Sequence, residues 1–253
     1  MRIARETSLL FWRYSVQLLR NPVWLVVGLS TPLLYLALFT PLLRHLSGSP
    51  TLGGRSVIQE FLPGILALLA YASGSGPGFS TIFELQAGFV ERLRVTPASR
   101  LSLLLGPLLS GMVAMFVFDG VLVAVGAAFG FRIHLGGLAV LAVLLGLLMC
   151  TVAAFSIAVA LVTKDISSFA ALINGLNLPV LLLGGVLLPV SLGPTWMRVI
   201  AHFNPLYYLV AASRTLSQGT YSGSATWQAF AVLVPLCAFT LAWATAVYRQ
   251  AVA

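Results

Sequence analysis

The sequence predicts an all-α integral membrane protein with six transmembrane helices. Of its 253 residues, 59% are hydrophobic and 8% are charged, whereas a soluble domain carries about a quarter charged residues. Mean hydropathy is +1.01, and the apolar runs reach the roughly 20 residues that a helix needs to cross a bilayer. The sequence lacks the short alternating strands of a membrane barrel. We therefore expect one membrane domain over residues 1–253.

The first element is predicted to be an amphipathic helix over residues 1–21. Its polar face carries Arg2, Arg5, Glu6, Arg13, Gln17 and Arg20, and its apolar face carries Ile3, Phe11, Trp12, Tyr14, Leu18 and Leu19. A basic helix with aromatic anchors lies in the plane of the membrane interface. Asn21-Pro22 then ends it before the first span.

Six spans follow, at about 23–43, 61–82, 103–130, 136–162, 167–189 and 227–248. With the N-terminus in the cytoplasm, nine arginines and lysines lie inside and five outside. The opposite orientation reverses this ratio, so both termini are predicted to be cytoplasmic. Gly74, Gly76 and Gly78 surround Pro77, which predicts a second span that is kinked or locally unwound.

Charge is concentrated between spans two and three. Five of the twenty charged residues fall between Glu84 and Arg100, and such a segment cannot lie in hydrocarbon. As a helix over 84–97, it places Glu84, Gly88 and Glu91 on one side, and Pro97 closes it. A loop that only sets topology needs no acidic stripe and could be shorter. The segment is therefore interpreted as a cytoplasmic helix that docks another protein.

Residues 192–219, between spans five and six, are too polar to cross the membrane but are amphipathic. Large apolar residues recur at helical spacing: Trp196, Val199, Ile200 and Phe203. Asn204-Pro205 separates two halves of roughly 10 residues, each about half a crossing. We expect a re-entrant or interfacial hairpin on the outer side, and a plain surface loop is the alternative.

The sequence carries no pattern for catalysis. A phosphate-binding loop needs Gly-Lys followed by Ser or Thr, and the only lysine, Lys164, follows Thr163. The three histidines lie at span ends, and no carboxylate pair, Ser-His pair or metal ligand set can be assembled near mid-membrane. We expect no enzyme activity, no metal site and no cofactor bound by this chain. The net charge of +8 is spread over loops, which indicates topology and lipid headgroups rather than nucleic acid.

Asp119 is the only ionisable residue near the middle of a predicted span. Such a residue either lines a substrate pathway or bonds to a neighbouring helix, with Asn174 and Asn177 as candidate partners, and the sequence leaves both readings open. Tyr71 and Ser73 of the second span complete the set of candidate pathway or interface residues.

Two stretches of the chain resemble the permease subunits of type-2 ATP-binding-cassette exporters, most closely the daunorubicin-resistance-like group. The first is Glu84-Leu-Gln-Ala-Gly88-Phe-Val-Glu91-Arg92-Leu-Arg94-Val-Thr96-Pro97, followed by Ala-Ser99-Arg100. The second runs from Leu188-Pro189 through His202-Phe-Asn204-Pro205-Leu-Tyr207 to Arg214 and Gly219. Nearly the whole chain fits the family's order of elements.

The resemblance implies a homodimeric permease in a bacterial cytoplasmic membrane, bound to two ATPase subunits that carry ATP and Mg. It implies that Glu84, Gly88, Glu91 and Arg92, together with Pro97, belong to the ATPase-coupling helix. It also implies that a hairpin containing Trp196, Asn204, Pro205 and Arg214 shields the exit, and that spans one, two and five form the pathway between protomers.

The resulting hypothesis is an ATP-driven export permease for amphipathic drug-like or lipid-like cargo, as in multidrug efflux. One alternative is polysaccharide or lipo-oligosaccharide export within the same superfamily. The alternative of another class is an ion-coupled secondary transporter, which usually has several intramembrane charges and an inverted repeat. Here Asp119 is alone, and the sequence shows no repeat.

Overall fold

The computed structural model describes residues 8, 11–16, 20, 22–44, 57–87, 100–131, 134–186, 190, 193–219 and 223–252. Residues 11–16 form a short helical segment. The longer helices are α1 (Pro22–Arg44), α2 (Val57–Gln86), α3 (Arg100–Ala128), α4 (Leu135–Thr163), α5 (Ile166–Leu183), α6 (Thr195–Ala201), α7 (Pro205–Ser217) and α8 (Ser224–Val252). No strand occurs in these ranges, which confirms the predicted all-α class.

The helices α1 to α5 and α8 correspond in order to the six predicted spans. By length and composition, α3, α4, α5 and α8 are apolar enough to cross a membrane. In α1 a shorter apolar stretch, Val26–Leu38, meets the same criterion of composition. The count of six spans remains a prediction.

The fifth predicted span ends earlier than expected, at Leu183 instead of 189. Gly184 and Gly185 follow it, and Gly185 has a φ of 68°, the left-handed conformation that ends helices. A Cβ atom on Gly184 would lie 2.7 Å from Cδ2 of Leu206. A side chain at position 184 would therefore clash with α7, so the end of α5 approaches α7 closely.

The second predicted span is helical throughout, so the expected local unwinding is wrong, whereas the alternative of a kink at Pro77 remains a prediction. α2 runs without a break from Val57 to Gln86, with Pro63 and Pro77 inside it. A Cβ atom on Gly74 would lie 2.6 Å from Cβ of Val152, and one on Gly78 would lie 2.8 Å from the Ser156 carbonyl oxygen. These two glycines permit close packing of α2 on α4.

The core is centred on α4, which is buried along most of its length and packs mainly between α2 and α8. The buried face of α7 fits against α2, α4 and α8. In contrast, α5 has a single buried residue, Phe169, which meets Phe79 of α2 edge-on at 4.8 Å between ring centroids. α5 is thus held loosely over much of its length.

α2 links two polar clusters at opposite ends of the bundle. Its 30 residues extend about 45 Å, with Glu60 in the first turn and Glu84 in the last. We call the end with Glu60 and α7 the hairpin end, and the end with Glu84 and residues 11–16 the N-terminal end.

Candidate functional site

A buried ion pair joins α2 to α7 at the hairpin end. Arg214 Nε lies 3.2 Å from Glu60 Oε1, and the two side chains are only 14% and 9% exposed. The guanidinium also donates from Nη2 to the Gly185 carbonyl oxygen over 2.9 Å. The fork of arginine suits such divergent acceptors, so one side chain ties together α2, α7 and the turn after α5.

Two other polar residues fasten α7. Asn204 caps the helix: its Oδ1 accepts the Leu206 N–H over 3.0 Å, and its Nδ2 donates to the Val180 carbonyl oxygen over 2.6 Å. The Ser217 hydroxyl donates to the Gln59 carbonyl oxygen over 3.4 Å. α7 is therefore tied to α5 at its start and to α2 at its end.

α6 and the turn that follows it present an apolar face outward, with Trp196 exposed and Phe203 86% exposed. Their polar groups turn back onto the hairpin: Arg198 Nε donates to the Gly193 carbonyl oxygen over 3.1 Å, and His202 Nδ1 lies 2.7 Å from the Arg198 carbonyl oxygen. This arrangement is typical of a helix at a membrane interface.

A second polar cluster, at the N-terminal end, surrounds Glu84. The Tyr14 hydroxyl donates to Glu84 Oε1, and Arg13 Nη2 lies 3.8 Å from the same oxygen. The hydroxyls of Ser15 and Ser110 are 3.3 Å apart. With its side chain 19% exposed, Glu84 fastens residues 11–16 to α2 instead of pointing freely into solvent.

The environment shifts the pKa of both partners in this cluster. Burial raises the pKa of the Glu84 carboxyl, against the opposing effects of the Tyr14 hydrogen bond and Arg13. Burial and the neighbouring carboxylate also raise the pKa of Tyr14, so its phenol stays protonated and able to donate.

A separate polar contact lies in the turn between α4 and α5, where Asp165 caps α5. Its Oδ2 accepts the Ser168 N–H over 2.7 Å. This backbone hydrogen bond lowers the pKa of the Asp165 carboxyl.

The predicted coupling helix is described only at its start. Glu84 belongs to the last turn of α2, which ends at Gln86, so residues 84–86 continue this helix beyond the predicted span instead of opening a separate helix. Gly88, Glu91, Arg92 and Pro97 lie outside the described residues, and the helix predicted over 84–97 remains a prediction.

The predicted pairing of Asp119 with the α5 asparagines is not found. Asp119 is 6% exposed, and neither carboxylate oxygen has a hydrogen-bond partner among the residues the structure describes. Asn174 is exposed and Asn177 is half-buried, because α5 meets the bundle through the face that carries Phe169.

Tyr71 and Ser73, the remaining pathway candidates, are half-buried on α2. Sequence reasoning missed Glu60 and Tyr14, the residues that complete the two clusters. Glu60 could have been noticed as an acidic residue at the edge of an apolar run. Tyr14 could have been noticed as a hydroxyl group within the apolar face of the predicted N-terminal helix.

Comparison with known proteins gives one family and similar relatives. A family profile described as "ABC-2 type transporter" matches residues 5–216. "Putative transport permease ycf38" of Cyanophora paradoxa is 32% identical over 214 residues, which cover 84% of this chain and 74% of that protein. The protein of the same name from Porphyra purpurea is 26% identical over 221 residues, with coverages of 86% and 76%.

Proposed function

Because this chain belongs to the ABC-2 type transporter family, we propose that it exports amphipathic drug-like or lipid-like molecules by using the ATP hydrolysis of a partner. The chain is a membrane transport permease, and its relatives bear that name. The observation that carries the proposal is the family match over residues 5–216. A pathway formed mainly by apolar helices suits amphipathic cargo.

We propose that two copies of the chain form a homodimer that binds two ATP-binding-cassette ATPase subunits. ATP and Mg would be held by the ATPases. The exposed face of α5, with one buried residue in the whole helix, supports contact with a second copy. We propose a bacterial cytoplasmic membrane as its location, and the arginine and lysine distribution supports an orientation with both termini inside.

The proposed stroke begins at the coupling segment. ATPase closure would push residues 84–97 as a rigid body. Glu84 lies in the last turn of α2 and bonds to Tyr14, so α2 and residues 11–16 would receive the push together. Gly74 and Gly78 bring α2 against α4, and closely packed helices move as one body. This path carries motion from the N-terminal end toward the hairpin end.

The experiment is co-purification of the tagged chain with a co-expressed ATP-binding-cassette ATPase from the same genome, together with efflux of rhodamine 6G from cells that express both. Replacing Glu84→Lys and Glu91→Lys should abolish association and efflux while membrane abundance is unchanged. Asp165→Lys is the control, because it reverses the charge of an exposed acid on the same predicted side of the membrane, outside residues 84–97. Normal association and efflux in the double variant would refute the docking assignment.

The same assay separates the rival classes. Loss of efflux with an ATPase that binds but cannot hydrolyse ATP supports the proposal. Efflux that persists with that ATPase but stops when a protonophore is added would indicate ion coupling. Association without rhodamine 6G efflux would count against amphipathic cargo and favour export of polysaccharide or lipo-oligosaccharide.

A further inference from the structure

We propose that Arg214 is a gate residue that clamps the hairpin end of α5 to α2, and that opening this clamp lets α5 move away from the bundle. The Arg214 clamp consists of Glu60, Arg214 and the Gly185 carbonyl group. Its role in transport rests on the function proposed above, but the clamp itself can be tested in the isolated chain.

Arg214 holds the turn after α5, a helix with a single fully buried residue, Phe169, and with Val180 and Leu181 packed only partly buried against the core. Phe169 fixes α5 near its start, against Phe79 of α2. At its other end the turn after α5 is held by Arg214, which donates to the Gly185 carbonyl oxygen over 2.9 Å. Asn204 adds one hydrogen bond, to the Val180 carbonyl oxygen. Between these points, Leu178 and Leu182 are exposed.

The anchor for this arginine lies on the tightly packed side. Glu60 stands in the first turn of α2, and its Oε1 lies 3.2 Å from Arg214 Nε. Farther along α2, Gly74 and Gly78 lie directly against α4. α7, which carries Arg214, is also buried, with Leu206, Leu209 and Leu216 inaccessible to solvent. The clamp therefore joins a fixed framework to a loosely held helix.

The backbone provides a hinge beside the clamp. Gly185 has a φ of 68°, a conformation that glycine adopts without strain. Hinges are a few positions at element ends that absorb changes in φ and ψ. Since Gly185 also supplies the carbonyl group that Arg214 holds, loss of that hydrogen bond would free the residue about which α5 can turn.

An ion pair is suited to this role because it is not the most stabilising way to fill a buried site. Apolar residues of similar volume often stabilise as well or better, so buried ion pairs are better explained by specificity or switching. The Arg214 and Glu60 side chains, at 14% and 9% exposure, lie close enough to the surface to be rehydrated when the clamp opens.

The test measures distances between spin labels on the full chain in nanodiscs, with Cys150 and Cys237 replaced by alanine. The first pair, Leu182→Cys and Val143→Cys, spans α5 and α4 toward the hairpin end. The control pair, Leu172→Cys and Val162→Cys, spans the same helices near Phe169. All four labelled positions are exposed, so labels are accommodated without disturbing the core.

Arg214→Gln and Glu60→Gln should each lengthen the first distance, by on the order of 5 Å, one helical turn, and leave the control distance unchanged. Ser217→Ala removes a neighbouring hydrogen bond to Gln59 and should change neither distance. If both the first and the control distance stay unchanged in Arg214→Gln and in Glu60→Gln, the proposal is overturned. If Arg214→Gln fails to fold, Glu60→Gln decides, because it retains a polar side chain of similar size.

A second measurement tests gating in the complex with the ATPase. In the chain with Glu60 and Arg214 unchanged, adding ATP and vanadate should lengthen the distance between the labels at 182 and 143. The distance between the control labels should stay the same. An unchanged first distance in a complex that binds and hydrolyses ATP would refute the gating role while leaving the proposed function standing. If the complex does not form, the proposed function is refuted. The spin-label distances in the isolated chain would then be the test of whether Arg214 holds α5.

Discussion

The two ends of α2 hold their neighbours in different ways. At the hairpin end, Glu60 and Arg214 form an ion pair that is almost entirely buried. At the N-terminal end, Glu84 lies at the edge of the bundle, where Tyr14 donates to it and Arg13, which is half exposed, lies 3.8 Å away. Separating two opposite charges costs more free energy in a medium of low dielectric constant than it does near water. The same residue type therefore makes a firm attachment at one end of α2 and an adjustable attachment at the other.

The largest expected effect is at the hairpin end. Arg214→Ala leaves the Glu60 carboxylate buried without its arginine, and breaking a buried pair costs about 3–5 kcal/mol. We expect a correspondingly lower free energy of unfolding, measured by SDS titration of the purified chain. Replacing both residues by methionine should cost less than either single change. A loss below about 1 kcal/mol for Arg214→Ala would show that the two ends of α2 are energetically alike.

A smaller effect is expected between the two ends, where α2 meets α4. Gly78→Ala places a methyl group 2.5 Å from Cζ of Phe169 and 2.8 Å from the Ser156 carbonyl oxygen, and overpacking of this kind costs about 1–3 kcal/mol. Gly76→Ala is the matched control, since nothing lies within 4 Å of its Cβ position. It should be neutral or stabilise the helix by up to about 1 kcal/mol. Equal unfolding curves for the two variants would contradict the close packing.

At the N-terminal end we expect a local effect. Tyr14→Phe removes the hydrogen bond to Glu84 without changing charge, and should weaken the docking of residues 11–16 by about 1 kcal/mol. A spin label at Trp12, which is exposed, would become more mobile, while the unfolding free energy of the bundle stays nearly constant. Arg13→Gln should have less effect, because exposed ion pairs contribute little. If the mobility of the Trp12 label is unchanged in Tyr14→Phe, Tyr14 does not contribute to the docking of residues 11–16.

The smallest effect is a dependence of stability on pH. Burial raises the pKa of Glu84 above its ordinary value, so the folded chain favours the protonated carboxyl. That contribution is fully present below the ordinary pKa of a glutamate and is lost as pH rises through the raised value. The free energy of unfolding should therefore fall from acid toward neutral pH by more in the unaltered chain than in Glu84→Gln. A difference of the opposite sign would show that Tyr14 and Arg13, which lower this pKa, outweigh burial.

The all-α class followed from composition and hydropathy, because apolar runs of this length have no other satisfactory backbone arrangement in a membrane. The division of residues 192–219 at Asn204 was also readable, since asparagine before proline is a strong helix start. The end of α5 could not be predicted in this way, because the close contact of Gly184 with Leu206 of α7 joins elements that are separate in sequence.

The candidate site was less predictable than the fold. The Glu60–Arg214 pair joins residues 154 positions apart, and no local pattern indicates which helices meet. The role of Gly74 and Gly78 in packing was not predicted for the same reason: the sequence does not show which helix lies against them. Once Val152 and Ser156 are seen against them, the same glycines explain why the two helices touch.

The close approach at Gly74 and Gly78 restricts how this bundle can widen. Rotating α2 about its own axis would drive larger neighbouring side chains into the α4 backbone, so α2 and α4 can shift only as a unit. Under the proposed export function, space for a passing molecule would open beside α1 and α5, whose outward surfaces carry exposed valine and leucine. A cargo that leaves by that side would slide along hydrocarbon instead of through a water-filled tube, and its oil solubility would govern its passage more than its charge.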